Sequence, residues 1–340
     1  MELNNLIDQF IDLYKNNSKQ HNEDWYKLMG NTVGGSEIAS LLGLSPYSSF
    51  YKVVESKIKI CKGENINNGS VSCWWGTLFE KIIAQVIEID LGNKVKGTDI
   101  CIQEYEGHRN SPDGYTAVNL YKKDNMYHIW TTDLDPDIIE LQIIVLLEFK
   151  CPLTRSVGNN IPVWYKPQVL SGLDVSPVAS KGLYIDACFR KCSIKQLGNN
   201  PLYDFNFHKK NNKEVMPIAW GIILFQSQDN IDLGSISNDL FNNYMELIAN
   251  EKLIIKSCSI TFADGRSTQS STQSSTPESG IYLPWKLFDL LYMPIDREPN
   301  YITNLMPIIQ KVHTLVKENI SNNIAPEILK IIDLCESIYE

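Results

Sequence analysis

The stretch Leu141–Phe149, LQIIVLLEF, most restricts what this chain can fold into. A strand with one wet face alternates apolar and polar residues. A near-continuous β-branched and apolar run fits a strand buried on both faces, and so a sheet covered by helices. The run ends on Glu148 and Lys150, which are two apart and therefore project to the same side of a strand. A charge at the end of a buried strand is costly unless it is paired or bound to metal, so the pair marks a candidate site.

Around this strand the hydrophobic period predicts an α/β chain. Residues 3–19 read as a helix, with Leu3, Leu6, Ile7, Phe10, Ile11 and Leu13 in one stripe. Val33-Gly34-Gly35-Ser36-Glu37 reads as a turn leading through an N-cap serine into a helix to Leu42, closed by Gly43. Segments 48–60, 75–91 and 161–174 read as helices, and 96–105, 115–120, 181–189 and 216–226 as strands. Residues 121–140 are polar and acidic, as in an inserted hairpin or loop, and Asp133, Asp135, Asp137 and Glu140 read as its solvated charges. Residues 265–280, GRSTQSSTQSSTPESG, contain nothing to bury and read as a flexible linker. Beyond them 283–293, 302–316 and 324–339 read as helices. The expected organisation is an N-terminal helix (1–20), a core (20–260), the linker (265–280) and a helical C-terminal extension (281–340). The core should hold a mixed sheet of about five strands.

Composition narrows the function classes. A net charge of −9 argues against binding nucleic acid by bulk positive charge, though not against a local basic groove. The eight cysteines show no Cys-x-x-Cys pair or zinc spacing and read as thiols in a reducing compartment. The N-terminus lacks the features of a signal peptide, and no apolar run is long enough for a membrane span. A soluble, intracellular protein is expected.

The chemistry rests on a second acid. Asp113 sits in the turn Asn110-Ser111-Pro112-Asp113-Gly114, and a hairpin folding back would bring it to Glu148. Two carboxylates and a backbone carbonyl can hold one or two Mg²⁺ ions, which suits phosphodiester hydrolysis. A nearby lysine would orient the water and balance phosphate charge. Each pattern alone is weak: acid-x-Lys is common on solvated strands, and Ser-Pro-Asp-Gly is usually just a turn.

Several motifs in one order are more specific. Trp25-Tyr26-Lys27-Leu28 followed by Val33–Glu37, Trp75-Gly76-Thr77-Leu78-Phe79-Glu80, Asn110–Gly114, Leu147-Glu148-Phe149-Lys150-Cys151-Pro152 and Tyr165-Lys166-Pro167-Gln168 cover roughly residues 20–190. Together they resemble the lambda exonuclease or YqaJ-type viral recombinase family of the PD-(D/E)XK nuclease superfamily. That resemblance implies a restriction-endonuclease-like core and a metal-dependent 5′→3′ exonuclease on double-stranded DNA ends, with Mg²⁺ (or Mn²⁺) as cofactor. It further implies Asp113, Glu148 and the Phe149 carbonyl as metal ligands, and Lys150 as the residue that positions the attacking water. Glu80 would approach the metal site, through water or at a second ion, and Gln168 would hydrogen-bond the water or a phosphate. Ser36 and Ser111 would line a pocket for a terminal 5′-phosphate. The family's role in viral recombination, repair or genome processing implies a single-strand annealing protein as partner and a ring-shaped homotrimer. Together with the chain's many Asn and Ile residues it points to a large eukaryotic DNA virus, active in the host cytoplasm or nucleus.

The chain departs from the family pattern at Met29, where an arginine that binds the 5′-phosphate is common; Lys27, Arg155 and Lys166 are the candidate replacements, and Tyr165 lies beside the last of these. The departure keeps open an endonuclease, or a nuclease that also cuts RNA. A nuclease fold serving mainly as a host-interaction protein is the reading from another class. Trp75 reads as core, Trp74, Tyr47 and Tyr51 as either packing or DNA contact, and His108 as structural or substrate-contacting.

Overall fold

The structure is a computed structural model describing residues 2–15, 23–64, 70–200, 215–227, 253–268 and 281–322. Its helices are α1 (Glu2–Tyr14), α2 (Glu23–Asn31), α3 (Ile38–Leu41), α4 (Phe50–Cys61), α5 (Val71–Leu91), α6 (Lys166–Asp174) and α7 (Tyr301–Asn322). Its strands are β1 (Val33–Gly34), β2 (His108–Arg109), β3 (Gly114–Lys123), β4 (Met126–Ile129), β5 (Ile139–Lys150), β6 (Lys181–Lys191), β7 (Ala219–Ser227), β8 (Leu253–Phe262) and β9 (Ile281–Asp296). Seven of them form one sheet in the order β4-β3-β5-β6-β9-β7-β8, and β1 pairs with β2 in a separate two-stranded ribbon.

The apolar run became what its composition requires. β5 lies inside the sheet, antiparallel to β3 and parallel to β6, with α6 making the crossover between the parallel pair. Its side chains alternate between two layers. Val145, Leu147 and Phe149 join α5 in one cluster, whereas Ile144 and Leu146 pack with α1 and α6 in another. Glu148 and Lys150 continue the parity of Ile144 and Leu146, so they emerge on the α6 side. The mixed α/β core expected from the sequence is the fold observed, built here on the antiparallel β3–β5 pair, the crossover helix α6 and the parallel strand β6. A third cluster joins Val33, Ile38 and Leu41 to Val53, Val54 and Ile58 of α4 and to Ile302, Ile309, Val312 and Val316 of α7. It braces the 33–41 turn from behind.

Several expectations need correction. The segment 283–293 is not helical. It lies within β9, hydrogen-bonded to β6 on one side and β7 on the other. Ile281–Asp296 is thus an inner strand of the main sheet and not the start of a helical extension. Its sequence, IYLPWKLFDLLYMPID, is apolar on both faces, so periodicity does not separate strand from helix. The aromatic residues are the cue that favours the strand, and the internal Pro284 counts against a helix. Trp285 and Leu287 are fully buried, each contributing about 1.5–3 kcal/mol of burial. Gly221 on β7 permits this packing, because a Cβ there would lie 1.8 Å from the Ser259 carbonyl oxygen and 2.6 Å from the Trp285 ring.

Residues 96–105 form only two isolated bridges, Lys96 with Tyr115 and Ile102 with Asn110, and not a strand. The sheet has seven strands where about five were expected; 96–105 drops out, and β4, β8 and β9 are the additions. The 121–140 segment begins as a hairpin, since β3 runs on to Lys123 and β4 pairs back on it, and its four acids are exposed as anticipated. Residues 16–19 of the first expected helix, 269–280 of the expected linker and the helix expected at 324–339 lie outside the described residues. Of those described, no helix is long and apolar enough to cross a membrane.

Candidate active site

Asp113 meets Glu148-Phe149-Lys150 at the end of β5. The β3–β5 register pairs Gly114 with Leu147, which sets Asp113 beside the strand end. Two backbone contacts fix it: its N–H donates to the Leu147 carbonyl at 3.2 Å, and its Oδ2 accepts the Phe149 N–H at 2.5 Å. Gly114, with φ +150°, makes the tight entry to β3 possible.

The charges are arranged around one half-buried cation, Lys150. Glu148 is 2% exposed, and the Lys150 Nζ donates to its Oε1. Burial pushes the Glu148 carboxyl up to about 8; Lys150 opposes the shift, while Asp113 and Glu80 add to it. Glu80, half-buried on α5, is raised to about 7 by burial and by Asp113. Burial likewise raises Asp113 against the pull of Lys150 and the Phe149 N–H. Lys150 is driven the other way from what burial alone would do, because Glu148 and Asp113 hold it charged. Three carboxylates thus share the field of a single ammonium, with Glu148 alone bonded to it. Such a set lacks positive charge, and a bound dication would restore the ionised state.

Among the described residues, no three His, Cys, Asp or Glu side chains close on one point. A hard cation between Asp113 and Glu148 would therefore complete its shell with carbonyl oxygen and water. That fits Mg²⁺ better than a soft metal. All seven described cysteines are free thiols, and burial raises Cys151, the one next to the site, well above its usual value.

The Tyr165 ring covers Lys150, whose Nζ lies 5.0 Å from its centroid. Gln168 is half-buried in the first turn of α6, one helical turn beyond Tyr165. The loop after β5 is clipped by Arg190, whose guanidinium donates to the carbonyls of Pro152 and Arg155. Arg155, a candidate DNA contact, is instead committed to Asp186 through two bonds of 2.6 and 3.1 Å. Asp186 is buried on β6 in register with Lys150 and requires a counter-charge, which the sequence did not reveal. Lys166 pairs with Glu298 at 3.0 Å. Lys27 is exposed on α2.

The cation that sequence reasoning missed is Arg109. It is buried, its guanidinium lies 5.8 Å from the Trp25 ring centroid, and a Cβ on Gly34 would meet its Nη1 at 2.5 Å. Glu37 stands 4.0 Å away, occupied mainly by the buried Lys57 and by the Gly34 N–H. The Arg109 Nε and the Ser111 Oγ are both buried without a hydrogen-bond partner. Ser36 is exposed on the same turn as Gly34. Only the parallel β1–β2 ribbon brings Arg109 to Gly34, and nothing local in the sequence announces it. His108 Nε2 lies 2.9 Å from the Ser171 hydroxyl, and burial, with Arg109 adjacent, pushes the ring down to about 4. It is a neutral structural residue.

Residues 24–178, the span holding Glu80, Asp113, Glu148, Lys150 and Gln168, match the YqaJ-like viral recombinase domain, and the chain belongs to that family. Within it the likeness extends over nearly the whole length to "Protein D345L" of African swine fever virus, a large DNA virus. A tick isolate from Malawi gives 32% identity over 91% of this chain and 90% of that protein. A Vero-adapted Badajoz strain gives 31% over the same shares. Among solved structures, an alkaline exonuclease from Laribacter hongkongensis aligns with TM-score 0.41 and 11% identity over 92% of this chain and 98% of that one. The same enzyme in complex with dAMP gives 0.42 and 11% over 88% and 95%.

Proposed function

We propose that this chain is a Mg²⁺- or Mn²⁺-dependent exonuclease that degrades double-stranded DNA from its ends in the 5′→3′ direction, leaving a 3′ strand for annealing in viral recombination or genome processing. Family membership supports the nuclease class. The observation that carries the chemistry is the Phe149 N–H bond to Asp113, which holds the turn acid against the Glu148–Lys150 strand end. When bound, the metal lowers the pKa of a coordinated water and neutralises charge on the phosphate. Asp113, Glu148 and the Phe149 carbonyl are the donors that would hold it, and Glu80, whose charge acts on Glu148, would reach it through water. Lys150 keeps its proton and presents an ammonium to the attacking water and the phosphate. Tyr165 limits its movement, and Gln168 reaches the same water or a phosphate oxygen.

Arg109 supplies the charge that Met29 lacks. With Ser111 two residues on and Ser36 on the facing turn, it supports a pocket for a terminal phosphate. This favours end-directed cutting over an endonuclease. The test compares linear DNA carrying 5′-phosphate, linear DNA carrying 5′-hydroxyl, and a closed circle, each in Mg²⁺. The phosphorylated end should be degraded at least about tenfold faster than the hydroxyl end, as expected for one charged contact, and the circle should survive. Arg109→Gln should erase most of the difference. Cutting of the circle would establish the endonuclease reading instead.

A further inference from the structure

An aromatic series leads from the reaction centre to the protein surface. Tyr184 lies 5.6 Å from Tyr165, Tyr165 lies 5.8 Å from Trp164, and Trp164 lies 6.2 Å from Tyr47 (ring centroids). Tyr165, the second ring of the series, lies over Lys150. The outer end, Tyr47, is 69% exposed. A large ring left in water needs an explanation when its loop is rigid, and this loop is. Gly43 turns it with φ +67°, the Leu44 and Ser45 N–H groups both donate to the Ala39 carbonyl, and the Ser45 hydroxyl accepts from the Tyr47 and Ser48 N–H groups. Tyr47 is therefore presented by a pinned scaffold and not by a floppy tip.

The two segments that meet at this ring pair share further properties. Leu42 and Leu44 on one side and Val163 on the other are also exposed. Neither 38–51, IASLLGLSPYSSFY, nor 156–165, SVGNNIPVWY, contains a single charged residue, in a chain whose net charge is −9. An uncharged aromatic and apolar surface, continuous with the site, can receive a strongly anionic polymer without repulsion. It offers π-faces where a backbone-binding surface would offer lysines. Flat, sequence-tolerant stacking on unpaired bases is the chemistry such a surface performs.

We infer that Tyr47 and Trp164 form a stacking platform for unpaired nucleobases of the DNA strand that passes Lys150, with Tyr47 as the outermost contact. The inference rests on the nuclease reading, but it is read out separately. Full-length protein is titrated in EDTA, so that nothing is cut, with a single-stranded oligonucleotide carrying 2-aminopurine, and anisotropy and 2-aminopurine quenching are followed together. Tyr47→Ala should weaken binding about tenfold and relieve quenching, while Tyr47→Phe should behave as wild type. An oligonucleotide with abasic sites in place of its bases should bind wild type and Tyr47→Ala equally. Unchanged binding by Tyr47→Ala, or a loss that persists with the abasic strand, overturns the platform, the latter outcome indicating backbone contact or a protein-docking role. Failure of wild type to degrade linear DNA in Mg²⁺ would instead sink the nuclease reading, leaving the EDTA titration to be judged on its own.

Discussion

At the scale of single residues the site is an electrostatic imbalance held by backbone geometry. Glu148 is raised to about 8 from the ordinary 4.5, which means that the folded, metal-free protein binds a proton there that the unfolded chain has already released. Stability from this group is therefore full at low pH and is lost as pH rises from about 4.5 to about 8. In EDTA the melting temperature should fall over that window, and Mg²⁺ should restore more of it at pH 8 than at pH 6. Glu148→Gln should flatten the pH dependence, raise the metal-free melting temperature at pH 8 and abolish cleavage, as should Asp113→Asn for cleavage. Calorimetry with and without Mg²⁺ checks this; a Gln variant less stable than wild type at pH 8 in EDTA would count against the charge balance described. Much of this was legible in the sequence, because strand parity and the Pro-Asp-Gly turn are local signals. Arg109 and the Arg155–Asp186 pair were not. Neither cation announces its role locally, because what each packs against lies 75 or 31 residues away, at Gly34 and Asp186.

At the scale of elements, β5, α5 and α6 followed from periodicity, whereas β9 did not. A strand buried on both faces and a buried helix look alike in a hydrophobic pattern, and the polar 265–280 stretch before β9 invited a domain break that the sheet does not respect. The consequence is testable. A chain ending at residue 264 loses β9, which separates β6 from the β7–β8 pair, and it also loses α7, which braces α4 and the 33–41 turn. It should show no cooperative melting and no nuclease activity. A soluble, active truncation would mean that the core closes without its inner strand. Gly221→Ala should act in the same direction more mildly, by about 1–3 kcal/mol for overpacking against Trp285 and the Ser259 carbonyl. Chemical denaturation measures it.

For the molecule as a whole, acidity and an anionic substrate are reconciled by economy of contact. Arg155, Lys166 and Lys181 are paired internally with Asp186, Glu298 and Asp296, and Arg190 serves backbone carbonyls. With these four cations of the described residues already engaged, the slope of log affinity against log salt should be shallow, about −4 or less in magnitude. Binding titrations over a NaCl series read it; a slope near −8 would instead reveal an extended basic track on the protein. The placing of β9 also bears on biosynthesis. Translation delivers Asp113 and Glu148 in the first half of the chain, but the sheet that steadies them gains its inner strand only when residue 296 has left the ribosome. A nascent or prematurely terminated polypeptide that has not reached residue 296 therefore carries the two carboxylates before the framework that steadies them exists.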